Sequence, residues 1–190
     1  MEMAEDTQVK RKVFQILVDN TSGVLSRIAG LFSRRGYNIE SITAGVTADP
    51  RFTRITIVTS GDDIILEQIE KQVAKLIDVR NIMELKPEGS VYRELAMIKV
   101  EADKEERQQI VAITDIFRGK IIDVAPESLM IEITGNSGKI EAFLKLLDGY
   151  RILELARTGI AGLSRGIDHL VFLEGEKPQE KGWIEQHLKA

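Results

Sequence analysis

The chain has 190 residues, of which 43% are hydrophobic and 29% charged, a composition typical of folded globular proteins that argues against disorder. It contains no cysteine, which excludes disulfides, thiolate zinc sites and thiol nucleophiles. The formal net charge is -4 and both signs are interspersed, so no concentrated basic surface is available for nucleic acid. The segment from Met1 to Val9 is polar, and no stretch has the character of a signal peptide or a membrane span, which predicts a cytoplasmic protein.

The first half of the chain alternates strand-like and helix-like patterns. An apolar run from Val13 to Val18 predicts a strand, and turn-forming residues then lead into a segment with apolar residues at helical spacing from Val24. Gly36 follows two arginines and predicts the end of that helix. Further strands are predicted at 39–48, 54–59 and 79–85, with a second helix starting near Asp62. The order of elements is βαββαβ.

The same order recurs in the second half as an internal repeat. Asp103 and Glu106 have the spacing of a capping box at the start of a third helix, which Gly119 closes. Ser137 is predicted to cap a fourth helix, which Gly149 ends. Strands are predicted at 95–100, 121–124, 129–133 and 152–156. The predicted fold class is therefore α+β, with two tandem ferredoxin-like βαββαβ domains.

Residues 86–90, Lys-Pro-Glu-Gly-Ser, have the composition of a linker between the two repeats. We predict four parts on this basis: a polar N-terminal extension (1–10), a first domain (11–86), a second domain (87–166) and a C-terminal tail (167–190). In the tail, Trp183, Ile184 and Leu188 predict a short final helix whose role the sequence does not indicate.

The loop Asn20–Ser26, before the first helix, is a candidate binding site. A helix N-terminus presents backbone N–H groups that lack intrahelical partners, together with the positive end of the helix dipole, so it can hold a carboxylate. Gly23 has no Cβ to obstruct a ligand there. Alternatively, Asn20 or Ser22 caps the helix and Gly23 only eases a turn. The local sequence leaves both interpretations open.

The residues from Asn20 to Ser41, NTSGVLSRIAGLFSRRGYNIES, resemble the signature of the acetolactate synthase small-subunit family. Similar segments continue to residue 166. The resemblance implies that the first domain is an ACT domain, which forms a homodimer side by side and binds a branched-chain amino acid, typically valine, at the interface. It also implies feedback inhibition, and stimulation, of a separate catalytic subunit that carries thiamine diphosphate, FAD and magnesium.

The resemblance also assigns an effector pocket, built from the loop, the start of the first helix and the start of the next strand. Its residues are Asn20, Gly23, Val24, Leu25, Ser26, Asn38 and Ile39. Asparagine side chains and helix N–H groups suit the charged ends of a zwitterion, and the aliphatic members can enclose a small aliphatic side chain. Many ACT domains have proline before this glycine, whereas Ser22 stands here, which is a mild departure.

Two further motifs are typical of enzymes but are interpreted as turns. Gly162–Gly166 matches G-x-S-x-G, with Asp168 and His169 close behind, yet it lacks the strand-to-helix context of a nucleophile elbow. Gly135–Lys139 resembles a phosphate loop without its first glycine. His169 and His187 are the only histidines, and their spacing assembles no metal site. We predict that this chain has no catalytic residues, no metal site and no cofactor.

Two other functions were weighed against the regulatory one. A stand-alone ACT-domain amino-acid sensor that regulates another partner would need an output module, and the sequence has no helix-turn-helix with a basic bias. An enzyme would need a clustered acid, base, nucleophile or metal set, which the sequence does not supply. Arg27, Arg34 and Arg35 on the first helix are interpreted as a solvated face or a surface for partner contact.

Overall fold

The structure is a computed structural model that describes residues 9–166. Within this range the chain divides into two compact units, one formed by 9–91 with 162–166 and the other by 92–161. Each unit is built on four antiparallel strands and two helices in the order βαββαβ, so the predicted fold class is confirmed. The predicted tail and its short helix lie outside the described residues, as does nearly all of the N-terminal extension.

The first unit places its two helices in the connections between strands. Its elements are β1 (Lys10–Asp19), α1 (Val24–Arg35), β2 (Ser41–Val46), β3 (Phe52–Gly61), α2 (Asp63–Val73) and β4 (Val79–Glu84). The strand order across the sheet is β2-β3-β1-β4, so β1 and β3 are central and β2 and β4 are the edges. All three pairings are antiparallel.

The core of the first unit lies between the sheet and the two helices. Every second residue of the central strands faces this core, as Ile16 of β1 and Ile57 of β3 do, and both are fully buried. Helix α1 contributes Ile28 and Phe32 at helical spacing, and α2 contributes Ile69. Burying a side chain of this kind stabilises the fold by about 1.5–3 kcal/mol, so the apolar periodicity of each helix determines which face packs on the sheet.

The ends of the two helices of the first unit follow the sequence signals. Gly36 takes the left-handed conformation at φ 69°, and its N–H bonds to the Ser33 carbonyl at 3.2 Å, which ends α1 as predicted. Helix α2 begins after Asp62, whose carboxylate accepts the N–H of Ile65 at 2.7 Å.

The second unit repeats this architecture. Its elements are β5 (Ser90–Glu101), α3 (Lys104–Ile116), β6 (Lys120–Ala125), β7 (Ser128–Gly135), α4 (Ser137–Leu146) and β8 (Ile152–Arg157). The order β6-β7-β5-β8 again leaves the second and fourth strands of the unit at the edges. Ile98 and Ile131 of the central strands pack with Ile110 of α3 and Phe143 of α4. A short 3-10 turn at Pro87–Gly89 precedes β5.

One predicted cap in the second unit is confirmed and one is wrong. Asp103 and Glu106 form the capping box at the start of α3. Ser137 does not cap α4, because Asn136 takes that position and its side chain accepts the N–H of Lys139 at 2.9 Å. Both residues are good capping types, and the choice depends on which one stands where the chain first turns. Sequence spacing alone does not separate neighbours of this kind.

The glycine-rich segment after β8, predicted to be a turn, contains a ninth strand. This strand, β9 (Ala161–Ser164), pairs with β5. Gln15 of β1, which is 1% exposed, donates from Nε2 to the carbonyl of Gly162 at 3.2 Å. This hydrogen bond joins residues that are far apart in the chain, so no local sequence pattern predicts it. The predicted limits of the two domains stay a prediction; residues 162–166 group with the first unit.

Candidate ligand-binding site

The N-terminus of α1 has no side-chain cap. Gly23 occupies the N-cap position in a left-handed conformation at φ 85°, and no side chain there accepts a backbone N–H. The first turn contains no acidic residue. The backbone N–H groups that every helix start leaves without intrahelical partners are therefore not satisfied by a capping side chain, and no acidic residue of the first turn lies at the positive end of the helix dipole.

A concave site of about 150 Å³ lies against this helix start. Its walls come from the end of β1, the loop after it, the first residues of α1 and the beginning of β3. The lining residues are Val18, Asp19, Asn20, Thr21, Gly23, Val24, Leu25, Ser26, Thr53 and Ile55. The volume is below the several hundred Å³ of a typical drug-sized pocket, so it suits a ligand of only a few non-hydrogen atoms.

Asn20 is held in this site by the connection between β2 and β3. Its Nδ2 donates to the Pro50 carbonyl at 2.9 Å, and its Oδ1 accepts from Oγ1 of Thr53 at 3.1 Å. Its backbone N–H bonds to the Arg51 carbonyl at 2.7 Å. The side chain is thus fixed by contacts other than the helix, which excludes the interpretation of Asn20 as the cap of α1. Ser22 does not cap it either, because Gly23 is the N-cap residue.

Both conformation and space favour glycine at the N-cap. A left-handed backbone at φ 85° is strained for residues that carry a Cβ. A Cβ added at Gly23 would also lie 3.0 Å from Nη1 of Arg27. The absence of a side chain therefore leaves the helix start accessible and leaves room for the guanidinium beside it.

Arg27 lies on the second turn of α1 and makes a two-pronged ion pair. Its Nε and Nη2 donate to the two carboxylate oxygens of Asp78 at 2.5 and 2.8 Å. The hydrogen bond to Asp78 raises the pKa of the Arg27 guanidinium above its ordinary value, so the positive charge is present at every physiological pH. The sequence interpretation placed Arg27 on a solvated face or a surface for partner contact; its side chain is 44% exposed, and its ion pair also connects the helix start to the turn between α2 and β4.

The site combines an apolar wall with a polar rim. Val24 is 5% exposed and Ile55 fully buried, whereas Leu25 is 48% exposed at the opening. Buried aliphatic side chains next to backbone N–H groups can accommodate a small molecule that has one anionic end and one aliphatic end. The chemistry of the arrangement is binding, because the lining holds no pair of groups placed for acid, base or nucleophilic steps.

The structure brings together five of the predicted pocket residues and leaves two outside the lining of a single chain. Asn20, Gly23, Val24, Leu25 and Ser26 line the site. Asn38 and Ile39 precede β2: the backbone carbonyl of Asn38 accepts the Thr59 hydroxyl at 2.6 Å, and Ile39 packs against the core.

Some lining residues were missed by the sequence analysis. Thr53 and Ile55 of β3 reach the site because the end of β1 pairs with the beginning of β3, with Val18 opposite Thr53. The register between β1 and β3 is a long-range property, and the local pattern of residues 51–55 does not predict it. Val18 and Asp19 could have been found from the sequence, since they directly precede the loop.

The other motifs give no second site within residues 9–166. At Gly135–Lys139 the start of α4 is capped by Asn136, and the Nζ of Lys139 donates to the Thr134 carbonyl, so its groups are engaged internally. In this range no group of three or more metal-ligating side chains is assembled, and no helix is long and apolar enough to cross a membrane. Asp168, His169 and His187 lie outside the described residues.

Comparison with protein families assigns both units. The model described as "AHAS small subunit-like ACT domain" matches residues 14–81, and the model described as "Small subunit of acetolactate synthase" matches residues 93–166. The chain is thus, by class, a tandem ferredoxin-like protein whose first unit is an ACT domain. Its relatives identify it further: the chain belongs to the acetolactate synthase small-subunit family, the non-catalytic regulatory subunits of that enzyme.

The similarity extends over nearly the whole length of the related proteins. The probable acetolactate synthase small subunit of Methanothermobacter thermautotrophicus is 52% identical over 87% of this chain and 97% of its own. The acetolactate synthase isozyme 3 small subunit of Escherichia coli is 48% identical over 82% and 96%. The crystal structure of the small subunit from Thermotoga maritima is similar with a TM-score of 0.77 and 46% identity, over 83% of this chain and 98% of that one.

Proposed function

We propose that this chain binds a branched-chain amino acid, valine in particular, at the site before α1 and thereby confers feedback inhibition on a separate acetolactate synthase catalytic subunit. The observation that carries the proposal is the uncapped helix start beside an aliphatic wall. In the cytoplasm, the catalytic partner would carry the thiamine diphosphate, FAD and magnesium and would be stimulated by this chain when the amino acid is absent. Family membership supports the partner, and the geometry of the site supports the ligand.

The groups in the site match the parts of an aliphatic amino acid. Backbone N–H groups at the start of α1 suit the carboxylate. The carboxamide of Asn20 keeps one N–H and one lone pair beyond its two internal hydrogen bonds, so it can serve a charged end of the ligand. Val24 and Ile55 suit the branched side chain.

A homodimer through the edge of β2 would complete the site. Four strands end the orders β2-β3-β1-β4 and β6-β7-β5-β8, and of these four, β4, β6 and β8 carry charged residues and lie at pairings with register shifts. Such features protect an edge against pairing. The strand β2, Ser-Ile-Thr-Ala-Gly-Val, has no charge, no proline and a regular register with β3. It is therefore the edge best suited to receive the same strand from a second copy.

Antiparallel pairing of two β2 strands would also explain the two residues outside the single-chain lining. The beginning of one strand would then lie beside the end of the other. Asn38 and Ile39 of a second copy would approach Val46, which pairs with Thr53 of the site. The amino acid would thus contact two protomers, and binding would favour the pairing state that completes the site. Couplings of this kind are on the order of 1–3 kcal/mol.

The proposal is tested by calorimetry on the purified full-length chain, followed by activity of the catalytic subunit. Valine, leucine and isoleucine are titrated separately, with alanine and norvaline as a smaller and an unbranched control. The chain is then added to the catalytic subunit, and acetolactate formation is measured against each amino acid. Failure of the chain to bind any branched amino acid, or catalytic activity that is unchanged by the chain with and without amino acid, would contradict the proposal. Effector binding without any influence on the synthase would instead favour a stand-alone sensor.

A further inference from the structure

Thr53, the second residue of β3, contacts the site in a way that no family assignment describes. Its hydroxyl donates to Oδ1 of Asn20 at 3.1 Å, and the residue itself is part of the lining. In the sheet it lies opposite Val18 on one side and Val46 on the other. Thr53 therefore connects the loop that holds Asn20 with the central strand and the proposed dimer edge.

The connection between β2 and β3 forms a hydrogen-bonded support for Asn20. The N–H of Phe52 bonds to the Asp49 carbonyl at 3.0 Å, and the N–H of Arg51 bonds to the Asp49 carboxylate at 3.0 Å. In this connection, the Arg51 carbonyl accepts the backbone N–H of Asn20, and the Pro50 carbonyl accepts its Nδ2. The Thr53 hydroxyl donates the hydrogen bond to the other end of the carboxamide, Oδ1.

The Pro50 carbonyl can only accept, so it determines that Nδ2 faces it, and the Thr53 hydroxyl then holds the other end of the carboxamide, Oδ1. An asparagine side chain has two N–H donors and two acceptor lone pairs. With Nδ2 donating to Pro50 and Oδ1 accepting from Thr53, one donor and one acceptor remain available. If the Thr53 hydroxyl is removed, Oδ1 loses its partner and the carboxamide is held only by the Nδ2–Pro50 hydrogen bond, about which it can turn, so the remaining groups are held less firmly. Preorganised groups bind more tightly because less freedom is lost on binding.

We propose that Thr53 is a positioning residue for the amino-acid effector: its hydroxyl fixes the carboxamide of Asn20 in the orientation that binds the ligand's charged end. This inference rests on the proposed function, because it concerns the same site. Thr53 acts through Asn20. Its branched side chain favours the strand conformation, and its hydroxyl orients Asn20 for the ligand.

Two variants of Thr53 separate the role of its shape in the strand from the role of its hydroxyl. Thr53→Val keeps the branched shape and the strand preference but removes the hydroxyl, whereas Thr53→Ser keeps the hydroxyl and removes a methyl group. Valine titrations on the full chain are expected to show binding weakened roughly three- to tenfold by Thr53→Val, the range of one hydrogen bond. Thr53→Ser is expected to bind within about twofold of the original chain, by the same scale. The melting temperature of Thr53→Val should not fall.

A double-mutant cycle with Asn20→Ala tests whether Thr53 acts on the ligand through Asn20. If Thr53 acts through Asn20, Thr53→Val causes no further loss once Asn20 is truncated. A crystal structure of ligand-free Thr53→Val should also show the Asn20 carboxamide rotated from its original position. An unchanged carboxamide would count against the positioning role even before any ligand is added.

The outcomes distinguish this inference from the proposed function. Binding by Thr53→Val equal to that of the original chain would overturn the positioning role and leave the amino-acid site intact. So would an equal loss in Thr53→Ser, or a loss that persists with Asn20→Ala. If the original chain itself binds no branched amino acid in the same titration, the proposed function fails and the positioning role fails with it.

Discussion

The two helices that follow the first strand of each unit, α1 and α3, occupy equivalent places in the same fold and begin in opposite ways. At α3 the Asp103 carboxylate accepts the N–H groups of Glu105 and Glu106, both at 2.8 Å, and the Glu106 side chain accepts the N–H of Asp103 at 3.2 Å. At α1 the N-cap is Gly23, with no side-chain acceptor and no acidic residue in the first turn. One helix start is satisfied by the protein's own carboxylates, and the other is not.

The difference in capping separates the two units with respect to the proposed binding site. A capping carboxylate stabilises a helix and at the same time occupies the groups that would bind an external carboxylate. At α3, the backbone hydrogen bonds from Glu106 and Glu105 lower the pKa of Asp103, so the cap carries a full negative charge at neutral pH. A free amino acid would be repelled there. The start of α1 lacks this stabilisation, and that is the condition for its proposed function.

The largest expected effect comes from giving α1 the kind of acid that α3 has. Gly23→Asp places a carboxylate at the helix start, where it should repel the ligand's carboxylate and weaken valine binding by on the order of a hundredfold. Gly23→Asn is the matched control, because both residues tolerate the left-handed conformation and only one carries charge. Calorimetry with valine measures both variants.

The asparagine variant is expected to lose less than the aspartate variant. The difference between the two isolates the charge from the strain and from the crowding of Arg27 that any side chain at Gly23 introduces. Valine affinity that is equal in the two variants would show that charge at the helix start is not what the ligand recognises.

The next effect compares the equivalent edge strands β2 and β6. Ile42 on β2 is 39% exposed and Ile122 on β6 is 44% exposed. Ile42→Lys should raise the dissociation constant of the proposed homodimer at least about tenfold, because a charged residue protects an edge against pairing. Ile122→Lys should leave the dimer unchanged. Sedimentation equilibrium at micromolar concentration measures both, and a dimer that tolerates Ile42→Lys equally well would exclude pairing through β2.

The smallest expected effect concerns the cap of α3. Asp103→Ala should lower the melting temperature of the chain by a few degrees and leave valine affinity unchanged, because this cap belongs to the unit without the site. Asp103→Asn retains a capping side chain without its charge and is the matched control. Differential scanning calorimetry of both variants measures the effect, and a loss of valine binding in Asp103→Ala would contradict the separation of roles.

The same cap has a predictable pH dependence. The pKa of Asp103 is lowered in the folded chain, so its stabilising contribution is present above the ordinary value of 3.8 and is lost as the pH falls through the lower folded value. The difference in melting temperature between the original chain and Asp103→Asn should therefore be constant near neutral pH and shrink in acid. A difference that is independent of pH down to the folded pKa would contradict this assignment.

Much of the fold follows from residues close together in the chain. The apolar spacing of α1, its end at Gly36 and the capping box at Asp103 and Glu106 are all confirmed. Where neighbours compete for one role, as Asn136 and Ser137 do, the local pattern was not sufficient. The segment after β8 was also misread, because its glycines favour a turn while its strand β9 is stabilised by pairing with β5.

The candidate site likewise has a part that the local sequence predicts and a part that depends on tertiary contacts. Asn20, Gly23, Val24, Leu25 and Ser26 are contiguous or nearly so, and a signature string identifies them. Whether Asn20 caps the helix or faces a ligand could not be decided from that string, since an asparagine near a helix start is consistent with both. The hydrogen bonds to Pro50 and Thr53 exclude the cap, and contact with a ligand stays a proposal.

By itself, then, the sequence determined the two βαββαβ repeats, the end of α1, the capping box of α3 and the family, because apolar periodicity and capping chemistry act over a few residues. The ends predicted at Gly119 and Gly149 were wrong, because α3 and α4 end earlier, at Ile116 and Leu146. Only the tertiary structure decided that Thr53 lies beside Asn20, that Arg27 pairs with Asp78 and that Gln15 meets Gly162. Each of these contacts joins residues more than thirty positions apart. Strand register and the packing of distant loops create them, and neither has a local signal.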